Sequence, residues 1–207
     1  MRAQLARGLL GQRRPAAAAT LGLLVVWYLT QYGYDFLNHG PNRIFLRTPL
    51  DQAVPVVPVF VIPYDSLVPY IGVTMVAFLF LRVRLFRSAA LAMILTWLVS
   101  YAFYFFLQSY VDRPHLAGGD ALTQMVRDVY ASDQPYNDFP SLHTSLSTIV
   151  AIHWWRFDRR AGIAAGIWTA LVVASTIFVK QHYLADLVAG LALAAASSWL
   201  FLRWARE

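Results

Sequence analysis

The chain has 207 residues, of which 58% are hydrophobic and 14% are charged, and its formal net charge is +6. Soluble domains carry about 25% charged residues, so this composition indicates an integral membrane protein and argues against a soluble one. The sequence contains no cysteine, which excludes a disulfide framework and a thiolate metal site.

Six apolar segments follow one another along the chain, and each is a candidate membrane helix. A bilayer-spanning helix needs about 20 residues, with a range of about 17–25. The fourth segment is short, and we expect it to extend upstream or to lie partly inside the bundle. The predicted fold is an all-α, six-transmembrane-helix bundle, in one membrane-embedded domain over residues 1–207. The segments cover approximately residues 16–34, 66–83, 87–108, 141–155, 161–179 and 183–202.

The distribution of basic residues indicates the orientation. With a cytoplasmic N terminus, 12 arginines fall in cytoplasmic segments and 5 basic residues on the opposite face. This asymmetry satisfies the positive-inside rule at every crossing, and an even helix number puts both termini in the cytoplasm. It also accounts for the pI of about 9.8, so we expect no nucleic-acid partner. The two sets are Arg2, Arg7, Arg13, Arg14, Arg82, Arg84, Arg87, Arg156, Arg159, Arg160, Arg203 and Arg206, and Arg43, Arg47, Arg113, Arg127 and Lys180.

Two longer segments connect the predicted helices on the outer face. Residues 54–64 are too short and too interrupted by proline to span the bilayer, so we expect an interfacial or re-entrant stretch. Residues 109–140 are rich in aspartate. Within them we expect a short surface helix over residues 119–131, capped by Asp120.

Two histidine-containing segments lie at outer ends of the predicted helices. His143 begins the fourth helix, and His182 and Asp186 begin the sixth. Arg113 follows the third helix, so the topology brings these groups to one membrane face. An imidazole at such a boundary can titrate near neutral pH, transfer protons or act as a nucleophile.

The residue types suit phosphate chemistry. His182 and Asp186 are spaced i, i+4, which predicts that they share one helix face, where the carboxylate can accept the imidazole N–H and orient the ring. His143 can supply a second proton-transfer group. The planar guanidinium of Arg113 suits phosphate oxygens.

The start of the fourth helix is a candidate anion site. Ser141 or Asp138 is expected to cap this helix, and its free amides and positive dipole end favour an anion. Each motif taken alone also fits an ordinary helix start or a capped surface helix. Their occurrence together, in order and on one membrane face, favours a catalytic site. His153 lies in the middle of a helix, and we expect it to be structural.

Together these residues resemble the type 2 phosphatidic acid phosphatase superfamily. Its motifs are Lys-x6-Arg-Pro, Pro-Ser-Gly-His and Ser-Arg-x5-His-x3-Asp. The corresponding residues here are Arg113-Pro114, the segment 140–143 (Pro-Ser-Leu-His), and Ser175-Thr176 with His182 and Asp186. The resemblance covers approximately residues 85–195, and the six-helix layout extends it to the whole chain.

Three positions depart from the family pattern. Phe106 stands where lysine is expected, Leu142 where glycine is expected, and Thr176 where arginine is expected. Two phosphate-binding cations are therefore missing. Lys180, close to His182, is a candidate replacement. Its alternative role is that of an interfacial lysine whose stem lies along apolar surface.

The resemblance implies a membrane lipid phosphatase that cleaves a phosphomonoester or pyrophosphate at the extracytoplasmic face. It implies that His182 forms a phosphohistidine, that Asp186 orients His182, and that His143 is the acid and then the base. It implies neither a metal nor another cofactor. The groups expected to hold the phosphate oxygens are Arg113, Ser141, Leu142 through its amide, and Lys180.

Three other functions stay open from the sequence. The segments 141–145 and 178–183 and the proline-rich stretch 54–64 resemble the inositol phosphorylceramide synthase-like branch, which passes a phosphorylated head group to an alcohol. A non-catalytic membrane relative fits the missing cations. A metalloenzyme would use His143, His182 and Asp186 as ligands. The expected partners are the bilayer, that of a bacterial cell membrane, and a lipid phosphate whose identity stays open.

Overall fold

The structure is a computed structural model that describes residues 8–40 and 44–203. In these ranges the fold is all-helical, as predicted, and the β contacts are the isolated bridges Ile44–Ser109 and Tyr110–Tyr136. Short 3-10 turns occur at Leu9–Gly11 and Pro58–Phe60. The ten α-helices of the described residues are α1 (Arg14–Thr30), α2 (Gly33–Leu37), α3 (Pro49–Ala53), α4 (Val61–Asp65), α5 (Leu67–Leu81), α6 (Val83–Phe106), α7 (Ala121–Ser132), α8 (Leu142–Phe157), α9 (Arg159–Phe178) and α10 (Leu184–Leu202).

Five helical stretches of the described chain are long and apolar enough to cross a bilayer. They are Arg14–Leu37, Pro58–Leu81, Val83–Phe106, Arg159–Phe178 and Leu184–Leu202. The fourth predicted segment corresponds to α8, which has 16 residues and is shorter than a typical span. Helix α8 packs against α6, α9 and α10, and it contributes Leu146, Ile149 and Val150 to the core.

The second membrane stretch begins earlier than the sequence predicted. The sequence predicts an interfacial or re-entrant stretch over residues 54–64, whereas residues 58–64 are helical and continuous with a stretch long and apolar enough to cross a bilayer. The 3-10 turn and α4 lead into α5, so the helical stretch starts at Pro58. The prolines permit this because Pro58 opens the 3-10 turn and Pro63 lies in the first turn of α4. At such positions the missing amide would have no intrahelical partner.

The helix connections sort the basic residues to the two ends of the bundle. Single residues, Arg82 and Asp158, join α5 to α6 and α8 to α9, so these turns lie at one end, here called the arginine end. The opposite end, here called the histidine end, carries residues 107–141 and 179–183. Arg2, Arg7, Arg43 and Arg206 lie outside the described residues. In the described part, the arginine end carries Arg13, Arg14, Arg82, Arg84, Arg87, Arg156, Arg159, Arg160 and Arg203.

Side-chain caps define the helices at the histidine end. Asp120 accepts the amide N–H of Thr123 and begins α7, as predicted. Ser141, and not Asp138, caps α8 by accepting the amide N–H of Thr144 at 3.3 Å. His153 is fully buried in α8 and is hydrogen-bonded to the Ser88 hydroxyl at 3.0 Å. This contact is consistent with the structural role expected for His153.

Candidate active site

The N termini of α8 and α10 meet at the histidine end and form the base of the candidate site. The amide of Ser141 donates to the carbonyl of Asp186 at 3.2 Å, so the two helix starts are tied through the backbone. Gly190 makes this approach possible. A Cβ at Gly190 would lie 2.9 Å from the Ser141 carbonyl oxygen and 3.0 Å from the Cβ of Thr144.

We therefore expect Gly190→Ala to push α8 away from α10 and to lower both stability and turnover. Overpacking of this kind costs about 1–3 kcal/mol. Thermal unfolding in detergent and a turnover assay measure the two effects. The control is Gly166→Ala in α9, where a Cβ meets open space; it should keep or raise stability by about 0.4–1 kcal/mol. Equal unfolding temperatures for the two variants would show that the close approach is not needed.

The two predicted histidines lie side by side. Their ring centroids are 6.2 Å apart, with the ring planes inclined by 58°. His143 is the second residue of α8, and its ring stacks on Tyr64 of α4 with centroids 4.0 Å apart and an interplanar angle of 18°. This stacking restricts the His143 ring to one orientation. His182 is 7% exposed, whereas His143 is partly exposed.

His182 and Asp186 contact each other, but not on one helix face as the i, i+4 spacing predicted. Helix α10 begins at Leu184, and His182 lies in the preceding turn, in which Lys180 has a positive φ of 54°. The contact survives because the Asp186 side chain turns back to the helix start and accepts the amide N–H of Tyr183 at 2.7 Å. A short polar side chain at this position satisfies a free helix amide, which is why the sequence folds this way.

The His182 imidazole and the Asp186 carboxylate lie close together. Nδ1 of His182 lies 3.6 Å from Oδ2 of Asp186, which is fully buried. This distance is longer than a hydrogen bond, and such bonds are often long before substrate binds and shorten afterwards. The geometry leaves Nε2 of His182 as the ring nitrogen directed away from the carboxylate. Nε2 is therefore the atom available to a substrate.

Arg113 borders the site, but its guanidinium is hydrogen-bonded to other groups of the protein. Its guanidinium donates to the carbonyls of Tyr130, Asp133 and Gln134 and to Oε1 of Gln181, with distances between 2.5 and 3.3 Å. It also lies over the Tyr130 ring, 5.0 Å from the centroid. These contacts fix a cation near His182. Direct phosphate binding by Arg113 stays a prediction.

Lys180 connects the turn before α10 to the segment around α3. Its ammonium donates to the carbonyls of Asp51 and Val54. The carboxylate of Asp51 accepts the amide N–H of Leu184 at 2.8 Å and that of Thr48 at 2.7 Å, so one buried acid caps both α3 and α10. Burial lowers the pKa of Lys180, and the charge of Asp51 offsets part of this effect. Lys180 thus tethers the turn before α10 to the segment around α3, a contact that the sequence does not predict.

The capping residues of α8 are buried. Ser141 is fully buried, and Leu142 is 8% exposed. The amides at the start of a helix have no intrahelical partner, so those of Leu142 and His143 are directed out of the helix start, next to the two imidazoles. The predicted role of Ser141 and Leu142 in holding phosphate oxygens stays a prediction.

Two cavities meet at His182. The larger one, here called the aromatic cleft, has a volume of about 650 Å³ and contains both His143 and His182 at its polar end. The smaller one, here called the polar cavity, has a volume of about 330 Å³ and contains Arg113, Lys180 and His182. The imidazoles therefore share one cavity and the cations share another, and His182 lines both. Other residues of the cleft are Trp27, Tyr28, Tyr32, Leu67, Ile71 and Trp97.

Two of the departures from the family pattern, Phe106 and Thr176, replace the cations that the family motifs contain. Phe106 is 70% exposed at the end of α6, and Thr176 is fully buried with its hydroxyl donating to the carbonyl of Val173. Sequence reasoning missed Tyr64, Gln181 and Asp51. A cap-like Thr-x-x-Asp pattern at residues 48–51 could have indicated Asp51, whereas no local pattern predicts the stacking of Tyr64 on His143.

The chain matches the PAP2 superfamily over residues 45–200, a range that contains His143, His182, Asp186, Arg113 and Lys180. No curated protein and no solved structure matches the chain. Members of this superfamily are typically phosphatases or phosphotransferases. The match extends over most of the described structure and agrees with the order of the three motifs. The chain therefore belongs to the PAP2 superfamily, the type 2 phosphatidic acid phosphatase superfamily.

Proposed function

We propose that this protein is a membrane lipid phosphatase that cleaves a phosphomonoester or a pyrophosphate through a phosphohistidine at His182. One observation carries this proposal: His143 and His182, 6.2 Å apart, lie at the polar end of an apolar cleft, and His182 also lines a cavity with cations. A lipid tail suits the aromatic cleft, and an anionic head suits the junction between the two cavities.

The proposed reaction has two displacements. Nε2 of His182 attacks phosphorus, the bond to the lipid oxygen breaks, and His143 gives that oxygen a proton. His143 then takes a proton from water, the water oxygen attacks phosphorus, and the phosphorus–nitrogen bond breaks. Asp186 stabilises the charge that His182 carries in between.

Charge stabilisation and positioning supply most of the catalysis in phosphoryl transfer. Arg113, Lys180, Ser141 and the amide of Leu142 are the groups proposed to hold the non-bridging oxygens. Arg113 and Lys180 lie on the polar-cavity side, and the start of α8 lies on the cleft side. A phosphate at His182 would thus have positive charge on two sides.

We propose that the chain crosses the membrane six times as a single domain, with both termini in the cytoplasm and the site on the extracytoplasmic side of a bacterial cell membrane. Helix α8 is the shortest crossing, since its 16 residues extend about 24 Å. Its position between α6, α9 and α10 supports a crossing in which the site is recessed below the surface. The excess of arginine at the arginine end supports this orientation.

A lipid phosphotransferase of the inositol phosphorylceramide synthase-like kind is the second candidate. The polar cavity favours this candidate. His182 lines the cavity, and so do acidic and basic side chains, including Asp51 and Asp112, that can hydrogen-bond an alcohol. An alcohol there would reach the same phosphorus that water reaches in the hydrolytic reaction. A metalloenzyme has less support, because the described residues contain no group of three or more histidine or acidic side chains placed to hold a metal ion.

The deciding experiment is a lipid phosphate panel with purified full-length protein, following free phosphate and lipid product together. The panel contains phosphatidic acid, phosphatidylglycerol phosphate, undecaprenyl pyrophosphate and a phosphosphingolipid, each with and without a polyol. Free phosphate without the polyol supports the phosphatase. A new lipid ester that forms only with the polyol supports the transferase. If no lipid gives product, the result supports a non-catalytic relative.

Gly72 of α5 lines the aromatic cleft, and a Cβ there meets nothing within 4 Å. We expect Gly72→Leu to narrow the cleft and to raise KM for long-chain lipid phosphates, with little effect on a short-chain soluble analogue. Initial rates over a chain-length series measure this. Gly22→Leu on the exposed surface of α1 is the matched control, because a Cβ at Gly22 also meets open space. Equal chain-length profiles for the two variants would contradict a tail in this cleft.

A further inference from the structure

Asp138, in the loop before α8, is a buried acid that the mechanism above does not use. Asp138 is 2% exposed, and in the described part of the chain neither carboxyl oxygen makes a hydrogen bond of good geometry, with the Ser109 hydroxyl as a nearby donor. Burying an unpaired carboxylate is costly, so a buried acid of this kind favours its protonated form. This makes Asp138 a candidate proton-holding group.

The backbone holds Asp138 close to the catalytic pair. The loop from residue 138 to residue 141 is fixed to α6, to the segment after α6 and to α10, and this places Asp138 within electrostatic range of Asp186 and His182. The hydrogen bonds that fix the loop are Phe139 amide to Ser109 Oγ (2.8 Å), Tyr104 hydroxyl to Pro140 carbonyl (3.0 Å) and Ser141 amide to Asp186 carbonyl (3.2 Å).

We propose that Asp138 is a positioning residue that keeps a proton beside Asp186, so that His182 faces one carboxylate and not two when the lipid phosphate binds. The proposal rests on the proposed function of His182. Two carboxyl groups that share a dry site cannot both ionise easily, so one of them retains its proton. With Asp138 neutral, Asp186 stays available as the anion that orients His182.

The electrostatic surroundings agree with this division. Burial, followed by the nearby charge of Asp186, raises the pKa of Asp138 to about 7, although the Ser109 hydroxyl and His182 act in the opposite direction. Tyr104 of α6 and Tyr183 at the start of α10 also lie within electrostatic range of Asp138, and burial raises the pKa of Tyr183. The proton therefore leaves Asp138 within the pH range of an ordinary assay.

The sign of the expected effect follows from charge. Below about pH 7 Asp138 is neutral, and the site binds an anionic lipid phosphate next to one carboxylate. As the pH rises through this value, a second negative charge forms near the phosphate and opposes binding. KM should therefore rise with pH in the wild-type protein, and this component should depend on the carboxyl group at position 138.

The test compares wild type with Asp138→Asn, measuring kcat and KM for a lipid phosphomonoester in detergent micelles from pH 6 to 8.5. The wild-type KM, divided by that of the variant, should increase on the order of tenfold across this range. Ionisation of the substrate is common to both proteins and cancels in the ratio. Asp128→Asn, at an exposed position of α7, is the control and should keep the wild-type profile.

A pH-independent KM ratio would overturn the proposal. If Asp138→Asn gives too little folded protein, Asp138→Glu replaces it in the assay, because the longer side chain moves the carboxyl group and should shift the pH at which KM rises. An unshifted rise in that variant would equally overturn the proposal. If either of these results is found and His182→Ala is inactive, only the role of Asp138 is contradicted. If His182→Ala is active, the proposed function itself is contradicted.

Discussion

Replacing His182 with alanine should abolish turnover of every lipid phosphate that the wild type accepts. Removal of a catalytic nucleophile lowers kcat by about 10⁴–10⁶-fold, and the residual rate comes from binding and charge stabilisation alone. The protein should also lose the phosphorylated intermediate. Rapid acid-free quenching with a ³²P-labelled lipid, followed by gel separation, measures the acid-labile, base-stable phosphate bound to the chain.

The control for this experiment is His115→Ala, since His115 is an exposed histidine in the loop at the same end of the bundle. It should keep wild-type turnover and wild-type phosphoprotein. Asp186→Asn provides a graded comparison, because it leaves the nucleophile in place while removing the charge 3.6 Å from Nδ1. Near-normal hydrolysis by a folded His182→Ala protein would show that another group attacks phosphorus.

The helices and the two histidine motifs were predictable because their signals are local. Apolar runs separated by arginine or proline specify helices that bury backbone polar groups, and the observed bounds of α6, α9 and α10 lie within a few residues of the predicted ones. Pro-Ser at the start of α8 is a capping pattern that acts over three residues. Such patterns need no knowledge of tertiary contacts.

The environment of each site residue was less predictable because it depends on contacts between distant segments. The ammonium of Lys180 is held by carbonyls near residue 51, and Arg113 is held by a loop about twenty residues later. Neither contact has a periodic signal in the sequence. The spacing of His182 and Asp186 predicted the right contact from the wrong local structure, since a turn and a returning side chain replace the expected helix face.

The two cavities give the sequence motifs a spatial order that the primary structure does not contain. The motif of Arg113 faces the polar cavity, the motif of His143 faces the aromatic cleft, and His182 joins them. A phosphate ester bound across this junction would have its apolar part in the aromatic cleft and its charged part beside the polar cavity. This separation favours a lipid substrate over a soluble phosphate ester, because a soluble ester would leave the cleft unfilled.

Replacing His143 with alanine should lower turnover of an alkyl phosphate by about 10²–10⁴-fold, because an alkoxide is a poor leaving group without a proton donor. p-Nitrophenyl phosphate separates the two steps, since nitrophenolate leaves without protonation. We expect a rapid burst of one nitrophenolate per protein molecule, followed by slow turnover, because the same imidazole is needed to activate water in the second step.

The burst has a structural basis that distinguishes His143 from its neighbours. The His143 ring centroid is 6.2 Å from that of His182, and the stacked ring of Tyr64 holds it in one orientation, as the proposed use of one imidazole for the leaving oxygen and the attacking water requires. The phosphoprotein should accumulate in His143→Ala, whereas it should be absent in His182→Ala. Stopped-flow absorbance measures the burst, and its amplitude counts the active sites. If His143→Ala instead forms nitrophenolate slowly from the first turnover, with no burst and no phosphoprotein, then His143 is needed in the first chemical step even when the leaving group needs no proton. That result would contradict the proposed role of His143 as the acid in the first step and the base in the second.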